Sequence, residues 1–264
     1  MKILSNPWRD EFLRLVGSAK TSIKIAAPFV KQEGCEAMLQ AKRSTSAICL
    51  VTNFQLKSIF CGSIDLSALE TILDNRGTVR SFPKLHAKIY LSDDAEAVVT
   101  SANLTHGGLF SNFEYGLYVS EPEVVAQIAA DFERLLADER TGSVDKAHLE
   151  TAREILSKLP EPGELAQILL DRQAPEESPD VLDISAVRIE QALTGWRLEV
   201  FKCVNAIPGQ VFTLSDVYAF EGILRGKYPE NQHITDKIRQ QLQGLRDVGL
   251  LEFLGGGRYR KLWR

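Results

Sequence analysis

A chain of 264 residues, 44% hydrophobic and 25% charged, is ordinary globular material with room for one large domain or two smaller ones, and two is the working expectation. No apolar run approaches the roughly 20 residues that cross a bilayer, and the opening MKILSNPWRDEF has no long apolar stretch ahead of a small-residue cleavage site. A cytoplasmic protein without membrane attachment is therefore expected.

Four cysteines, Cys35, Cys49, Cys61 and Cys203, lack paired spacing, which excludes a disulfide framework or a zinc knuckle and leaves them as reduced core residues. The formal net charge of -4 speaks against nucleic acid as a partner only if charge is spread evenly, and here it is segregated.

From Met1 to Leu159 short β-rich runs alternate with amphipathic helical patterns, which predicts an α/β sandwich. Asn6-Pro7 reads as the cap and first turn of a helix carrying Trp8, Phe12 and Val16. The predicted strands are SIKIAAP, AICLV, TVRSFP, HAKIYL, AVVT and FEYGLYV. Further helices are expected at Glu36–Lys42, Leu66–Asn75, Pro122–Ala137 and Asp145–Leu159.

Residues 160–183 change character: three prolines come after Pro160, and Glu161, Glu164, Asp171, Glu176, Glu177, Asp180 and Asp183 are set against a single basic residue, Arg172. This is read as a solvated acidic linker. Residues 184–264 form the second expected domain. Helical patterns over Val187–Ala206, Leu214–Arg225 and Ile234–Val248 precede LLEFL, three glycines and RYRKLW, the order of a winged helix. Arg225 to Arg264 holds nine basic and four acidic side chains, the footprint expected for duplex DNA.

Polar residues interrupt otherwise apolar strands at His86, Lys88, Ser101, Asn103 and Glu114. His86 and Lys88 are two apart on one strand, as are Ser101 and Asn103 on another, so each pair is expected to leave one face and the four groups to converge. With Asp93 between them, the spacing resembles the HKD motif of the phospholipase D superfamily, HxKx4Dx6GSxN, in its single-motif nuclease form. Thr100 stands where that motif has glycine.

The resemblance implies that His86 is the nucleophile on phosphorus, giving a phosphohistidine that water resolves. It implies that Glu114 accepts from the other ring nitrogen, and that Lys88, Asn103 and Ser101 donate to the nonbridging oxygens with no metal or other cofactor. Asp93 is read as structural, His106 as lining the rim or simply exposed, and both are left outside the core site. The leaving oxygen needs a second proton donor, and His106, His148 and His233 lack a lysine two residues on, so a homodimer joining two copies of His86 at one phosphate is expected.

The C-terminal stretch resembles the winged helix of Dpn I-type restriction endonucleases and Dam-replacing proteins, without their nuclease motif. Ile238, Leu242, Leu245 and Val248 repeat at helical spacing as core. Thr235, Lys237, Arg239, Gln240, Gln241 and Gln243 are left as candidate DNA-reading residues, with Arg258, Arg260 and Lys261 on the wing for phosphate. Trp196, Tyr218 and Phe220 are read as core rather than as a cage for a methylated base, and a methylated double-stranded target stays open. The expectation is a type II-like restriction endonuclease. The alternatives are a nonenzymatic DNA-binding regulator that dimerises through the first domain, or a lipid-cleaving phospholipase.

Overall fold

The computed structural model describes residues 1–5, 8–159 and 181–264. The Asn6-Pro7 cap and most of the acidic linker lie outside the described residues. The chain divides into two compact units. One comprises residues 1–54 and 62–146, the other residues 55–61 and 147–264.

The first unit is built on a mixed sheet with strands β1 (Lys2–Ser5), β2 (Ser22–Ala26), β3 (Ala47–Thr52), β4 (Thr78–Ser81), β5 (Ile89–Ser92), β6 (Glu96–Thr100), β7 (Tyr115–Val119) and β8 (Gly142–Val144). The order across the sheet is β1-β7-β6-β5-β2-β3-β4-β8. Strands β2, β3 and β4 are parallel, and β5 joins β2 antiparallel.

The strands β1 and β8 were not legible in the sequence because four- and three-residue edge segments carry too short an alternation. The remaining strands fall where the apolar runs placed them. β5 is shorter than HAKIYL: its ladder starts at Ile89, with one further bond from Thr100 N–H to the Lys88 carbonyl, so His86 precedes the strand.

Alternation sorts the sheet's side chains onto two faces. On one, Leu4, Ile23, Ile25, Leu50, Val79, Tyr90 and Val98 are buried with residues of helices α1 (Arg9–Ser18), α2 (Gln32–Ala41) and α4 (Leu66–Asp74). There Trp8, Phe12 and Tyr90 meet edge-on at centroid distances of 5.4 to 5.7 Å, each pair contributing about 0.5–1.5 kcal/mol beyond its area. On the other face Leu91, Ala97 and Val119 pack with Val125, Ala129 and Phe132 of α5 (Pro122–Ala137). Between α2 and α4, the segment α3 (Leu56–Phe60) groups with the second unit.

The turn from β5 to β6 explains Asp93. Asp93 and Asp94 both have positive φ, 54° and 51°, and Ala95 N–H bonds to the Ser92 carbonyl at 2.9 Å, which defines a type I′ turn. The Asp93 carboxylate accepts from the backbone N–H groups of Lys20, Thr21 and Ser22 at 2.7–2.8 Å and from the Thr21 hydroxyl at 2.7 Å. Though burial pushes the other way, these donors hold the carboxyl below the ordinary carboxylate range. The structural reading of this residue stands, with its cause.

The second unit takes in nearly all of α6 (Lys146–Ser157), one helix earlier than the expected boundary at 159. It continues with α7 (Ala186–Ala192), α8 (Gly195–Ala206), β9 (Val211–Thr213), α9 (Leu214–Tyr218), α10 (Glu221–Lys227), α11 (Ile234–Asp247), β10 (Leu251–Gly255) and β11 (Arg258–Lys261). Two predicted long helices are each broken in two, the first where Gly195 takes φ +56°. The hairpin turns through Gly255, Gly256 and Gly257, all at positive φ, and β11 also pairs with β9, giving three strands in the order β10-β11-β9. Leu182, within the expected linker, is buried in this unit and bridges Trp263.

Among the described residues, no helix is long and apolar enough to cross a membrane.

Candidate active site and DNA-reading surface

Residues from three chain segments meet at one end of the central strands. Lys88 enters from the start of β5, Ser101 and Asn103 follow β6, and Glu114 precedes β7. The Ser101 hydroxyl donates to Glu114 Oε2, and Asn112 Nδ2 donates to the other oxygen at 3.3 Å. Ser101 also exchanges bonds with Tyr115: its N–H donates to the Tyr115 carbonyl at 3.0 Å, and its Oγ accepts from Tyr115 N–H at 3.1 Å.

The stretch after β6 is fixed from below. Tyr90, fully buried, donates its hydroxyl to the Ala102 carbonyl at 3.0 Å. Gly108, in a π-helical turn over Gly107–Ser111, lies so close to Asn103 that a Cβ would sit 2.4 Å from the Asn103 carbonyl oxygen. Trp8 Nε1 donates to the Gly108 carbonyl at 2.9 Å and holds that turn in place.

Asn103 Oδ1 accepts from Phe29 N–H at 3.2 Å, so the amide is oriented with its NH2 as the remaining group. Lys88 is buried, 8% exposed, and its Nζ donates to the His86 carbonyl at 2.8 Å. Burial lowers its pKa from the ordinary lysine value, partly opposed by the charge of Glu114. A lysine so placed is a short-range donor in low dielectric.

One expectation changes: His86 precedes the strand, and the two residues differ in exposure, the His86 side chain being exposed while Lys88 is buried with its Nζ on the His86 carbonyl. The Glu114 carboxylate is engaged by Ser101 and Asn112. Asn112 carried no signal in the sequence because its role depends on the π-helical turn, where its N–H bonds to the Gly107 carbonyl at 2.8 Å.

Thr100, the departure from the motif glycine, faces Gly116 across the ladder, where a Cβ would sit 2.7 Å from the Thr100 Cβ. His106 is exposed and rests 5.1 Å from the Phe110 ring.

In the second unit α11 buries Ile234, Ile238, Leu242 and Leu245, and Val248 is buried just beyond its end. Arg239, Gln240 and Gln243 are exposed, and Thr235, Lys237 and Gln241 half-buried. Arg239 donates to the Tyr218 hydroxyl, with its guanidinium 5.7 Å from that ring. Lys237 Nζ donates to Gln240 Oε1 at 2.6 Å.

The wing corrects one assignment. Strand alternation sends Arg258 outward but Lys261 inward, where it is 5% exposed, bonded to the Ile207 carbonyl and lowered in pKa by desolvation. Lys261 is therefore not placed to reach a phosphate. Arg260 is paired with buried Glu252 at 3.0 Å, which leaves Arg258 as the exposed base of the strand.

Trp196, Tyr218 and Phe220 are half-buried rather than core. Trp196 stacks on Tyr228 at 4.0 Å, at the side of a cleft of about 620 Å³ that also includes Asn231, Gln232 and His233, just ahead of α11. Sequence periodicity could not find this cleft, since it joins helix and loop residues over thirty positions apart.

Residues 12–136 match the family model described as "Cardiolipin synthase, PLD-like domain", and this part of the chain has a phospholipase D-like fold. Residues 192–261 match "Dam-replacing HTH domain", so the chain is in particular a phospholipase D-like domain joined to a Dam-replacing helix-turn-helix module. The pairing points to a nuclease or DNA-binding role.

Similar solved structures include the phospholipase D family member Nuc from Salmonella typhimurium, 19% identical with a TM-score of 0.45 over 52% of this chain and 93% of that one. NucT from Helicobacter pylori is 13% identical with a TM-score of 0.38 over 52% and 94%. An uncharacterized protein of Streptococcus mutans is 36% identical over 56 residues, and the match spans 21% of this chain and 12% of that relative's length.

Proposed function

We propose that this chain is a metal-independent DNA endonuclease of restriction type, with a catalytic centre shared by two copies. The observation that carries the reading is the cluster at the strand ends: a buried ammonium bonded to the carbonyl of His86, whose side chain is exposed, together with an oriented amide NH2 and a hydroxyl bonded to a carboxylate. In this reading the neutral His86 ring forms a P–N bond as the P–O bond to the leaving oxygen breaks, and His86 of the partner subunit gives that oxygen its proton. The same partner imidazole then takes a proton from water, whose oxygen displaces the histidine from phosphorus. Lys88 and Asn103 offset the charge that grows on the nonbridging oxygens. Ser101 and Asn112 hold Glu114 near Lys88.

The dimer is supported by an uncovered sheet face. The face that α5 covers over Leu91, Ala97 and Val119 continues past the helix as Val99, Leu117 and Ile3, cross-strand neighbours that are all exposed. Ile3 is 60% exposed, and Tyr115 and Phe113, on either side of Glu114, extend the patch, with Phe113 at 84%. A contiguous apolar surface beside a site that lacks one proton donor fits a second copy of the chain. Duplex DNA would be read by α11 and by Arg258.

Supercoiled plasmid incubated in excess EDTA tests the reading. Wild-type protein is expected to cut and His86→Ala to be inert, and an excess of His86→Ala mixed with wild type should suppress cutting beyond simple dilution. Cleavage that disappears on chelation overturns metal independence, and binding without cleavage supports a regulator instead. Running the assay on adenine-methylated and unmethylated plasmid decides whether the target carries the modification.

A further inference from the structure

The parallel strands β2, β3 and β4 are each followed within three residues by a phenylalanine: Phe29, Phe54 and Phe82. Two of the rings are covered. Phe54 is 1% exposed, and Phe82 is partly buried with the Arg140 guanidinium 4.8 Å from its centroid. Phe29 is 43% exposed, and among the described residues no aromatic or cationic group lies over it.

The backbone beneath that ring is pinned on every side. Ala27 N–H bonds to the Val51 carbonyl at 3.0 Å, the Pro28 carbonyl accepts from the Thr52 hydroxyl at 3.1 Å, and Val30 N–H bonds to the Ser63 carbonyl at 3.2 Å. Lys31 N–H closes onto the Leu104 carbonyl at 2.9 Å. Phe29's own N–H is held by Asn103 Oδ1, the amide whose NH2 remains for a phosphate oxygen.

We propose that Phe29 is a substrate-contacting residue whose ring stacks on the nucleobase next to the scissile phosphodiester, so that the catalytic unit favours nucleotides that are unstacked. The inference rests on the nuclease reading. A ring carried on a backbone that is already pinned leaves only side-chain freedom to lose on binding, and stacking tolerates any base because every base has a π-face. One amide then serves two tasks: Asn103 meets the phosphate with its nitrogen and fixes the stacking residue with its oxygen. The selection would belong to the catalytic unit itself, separate from any sequence read by α11.

The test uses the full-length protein and single-stranded oligonucleotides in which one base at a time is replaced by an abasic nucleotide. Phe29→Leu keeps an apolar side chain but no ring, and Phe29→Trp keeps a stacking face. Expected is a loss of roughly 5- to 100-fold in kcat/KM for Phe29→Leu, carried mainly by KM, with Phe29→Trp near wild type. One abasic position beside the cut should slow the wild type and leave Phe29→Leu without further loss. Leucine and tryptophan variants that behave alike, or an abasic effect unchanged by Phe29→Leu, overturn the proposal.

Anisotropy titration of the same oligonucleotides needs no cleavage and separates the two readings. Affinity that ignores the base beside Phe29 overturns the stacking role. Base-dependent affinity with no cutting of plasmid or oligonucleotide by any variant, wild type included, supports the stacking role and overturns the nuclease reading alone.

Discussion

Replacing Asp93 by asparagine isolates one charge at the turn that joins β5 to β6. Asparagine tolerates the positive φ of 54°, so the backbone conformation is retained while the carboxylate is lost. Three backbone N–H groups and one hydroxyl now bond to that carboxylate, and all four are donors. An amide presents only one acceptor oxygen and turns its own donors toward at least one N–H.

Hydrogen bonds to a charged group are worth about 1.5–3 kcal/mol each in favourable cases, but the donors here are partly wet and regain water when released. A net loss of about 2–3 kcal/mol at neutral pH is therefore expected. The sign with pH follows from the lowered carboxyl. Its contribution is present in full above the unfolded value of about 4 and is lost as pH falls below it toward the folded value. The gap between wild type and Asp93→Asn should be flat from pH 8 to 5 and narrow below about 4.

Two units make a single global transition unsafe to assume, so the readout is amide hydrogen exchange at Lys20, Thr21 and Ser22, with urea unfolding alongside. Protection at those three amides should fall in the variant. Unchanged protection, or a stability gap that grows in acid, refutes the account of this motif residue as an anchor for the turn.

Four further outcomes are expected. Lys88→Met should cut DNA at least ~100-fold more slowly, since a donor to the transition state is gone, yet be no less stable, because a buried ammonium has been removed. Since burial lowers the Lys88 pKa, wild-type activity should fall along an alkaline limb that begins below the ordinary lysine value of 10.5, and that limb is read from kcat against pH. Arg258→Ala should reduce the dependence of log affinity on log salt by about one, whereas Lys261→Met should leave it unchanged, in a DNA-binding titration over 50–200 mM salt. Ile3→Asp, at an exposed position, should leave the fold stable but shift sedimentation from dimer to monomer and abolish cutting; a fully active monomer removes the shared-site model.

Much of this was legible along the chain because it rests on local periodicity and on residue chemistry. The alternation of SIKIA and AICLV, the helical spacing of Ile238, Leu242 and Leu245, and the hairpin glycines each report which face is buried within a few residues, and the structure places strands, helix and turn there. The order of His86, Lys88, Asp93, Ser101, Asn103 and Glu114 is chemical information that survives without coordinates. What the tertiary structure decided is which of those groups hold one another, since partners far apart in sequence leave no periodic trace. It gave Glu114 to Ser101 and Asn112, anchored Asp93 on residues 20–22, and turned Lys261 into the core beside Ile207. It also left the Phe29 ring uncovered while burying Phe54. These outcomes depend on where strands end and which element packs above them, and only the folded chain sets those distances.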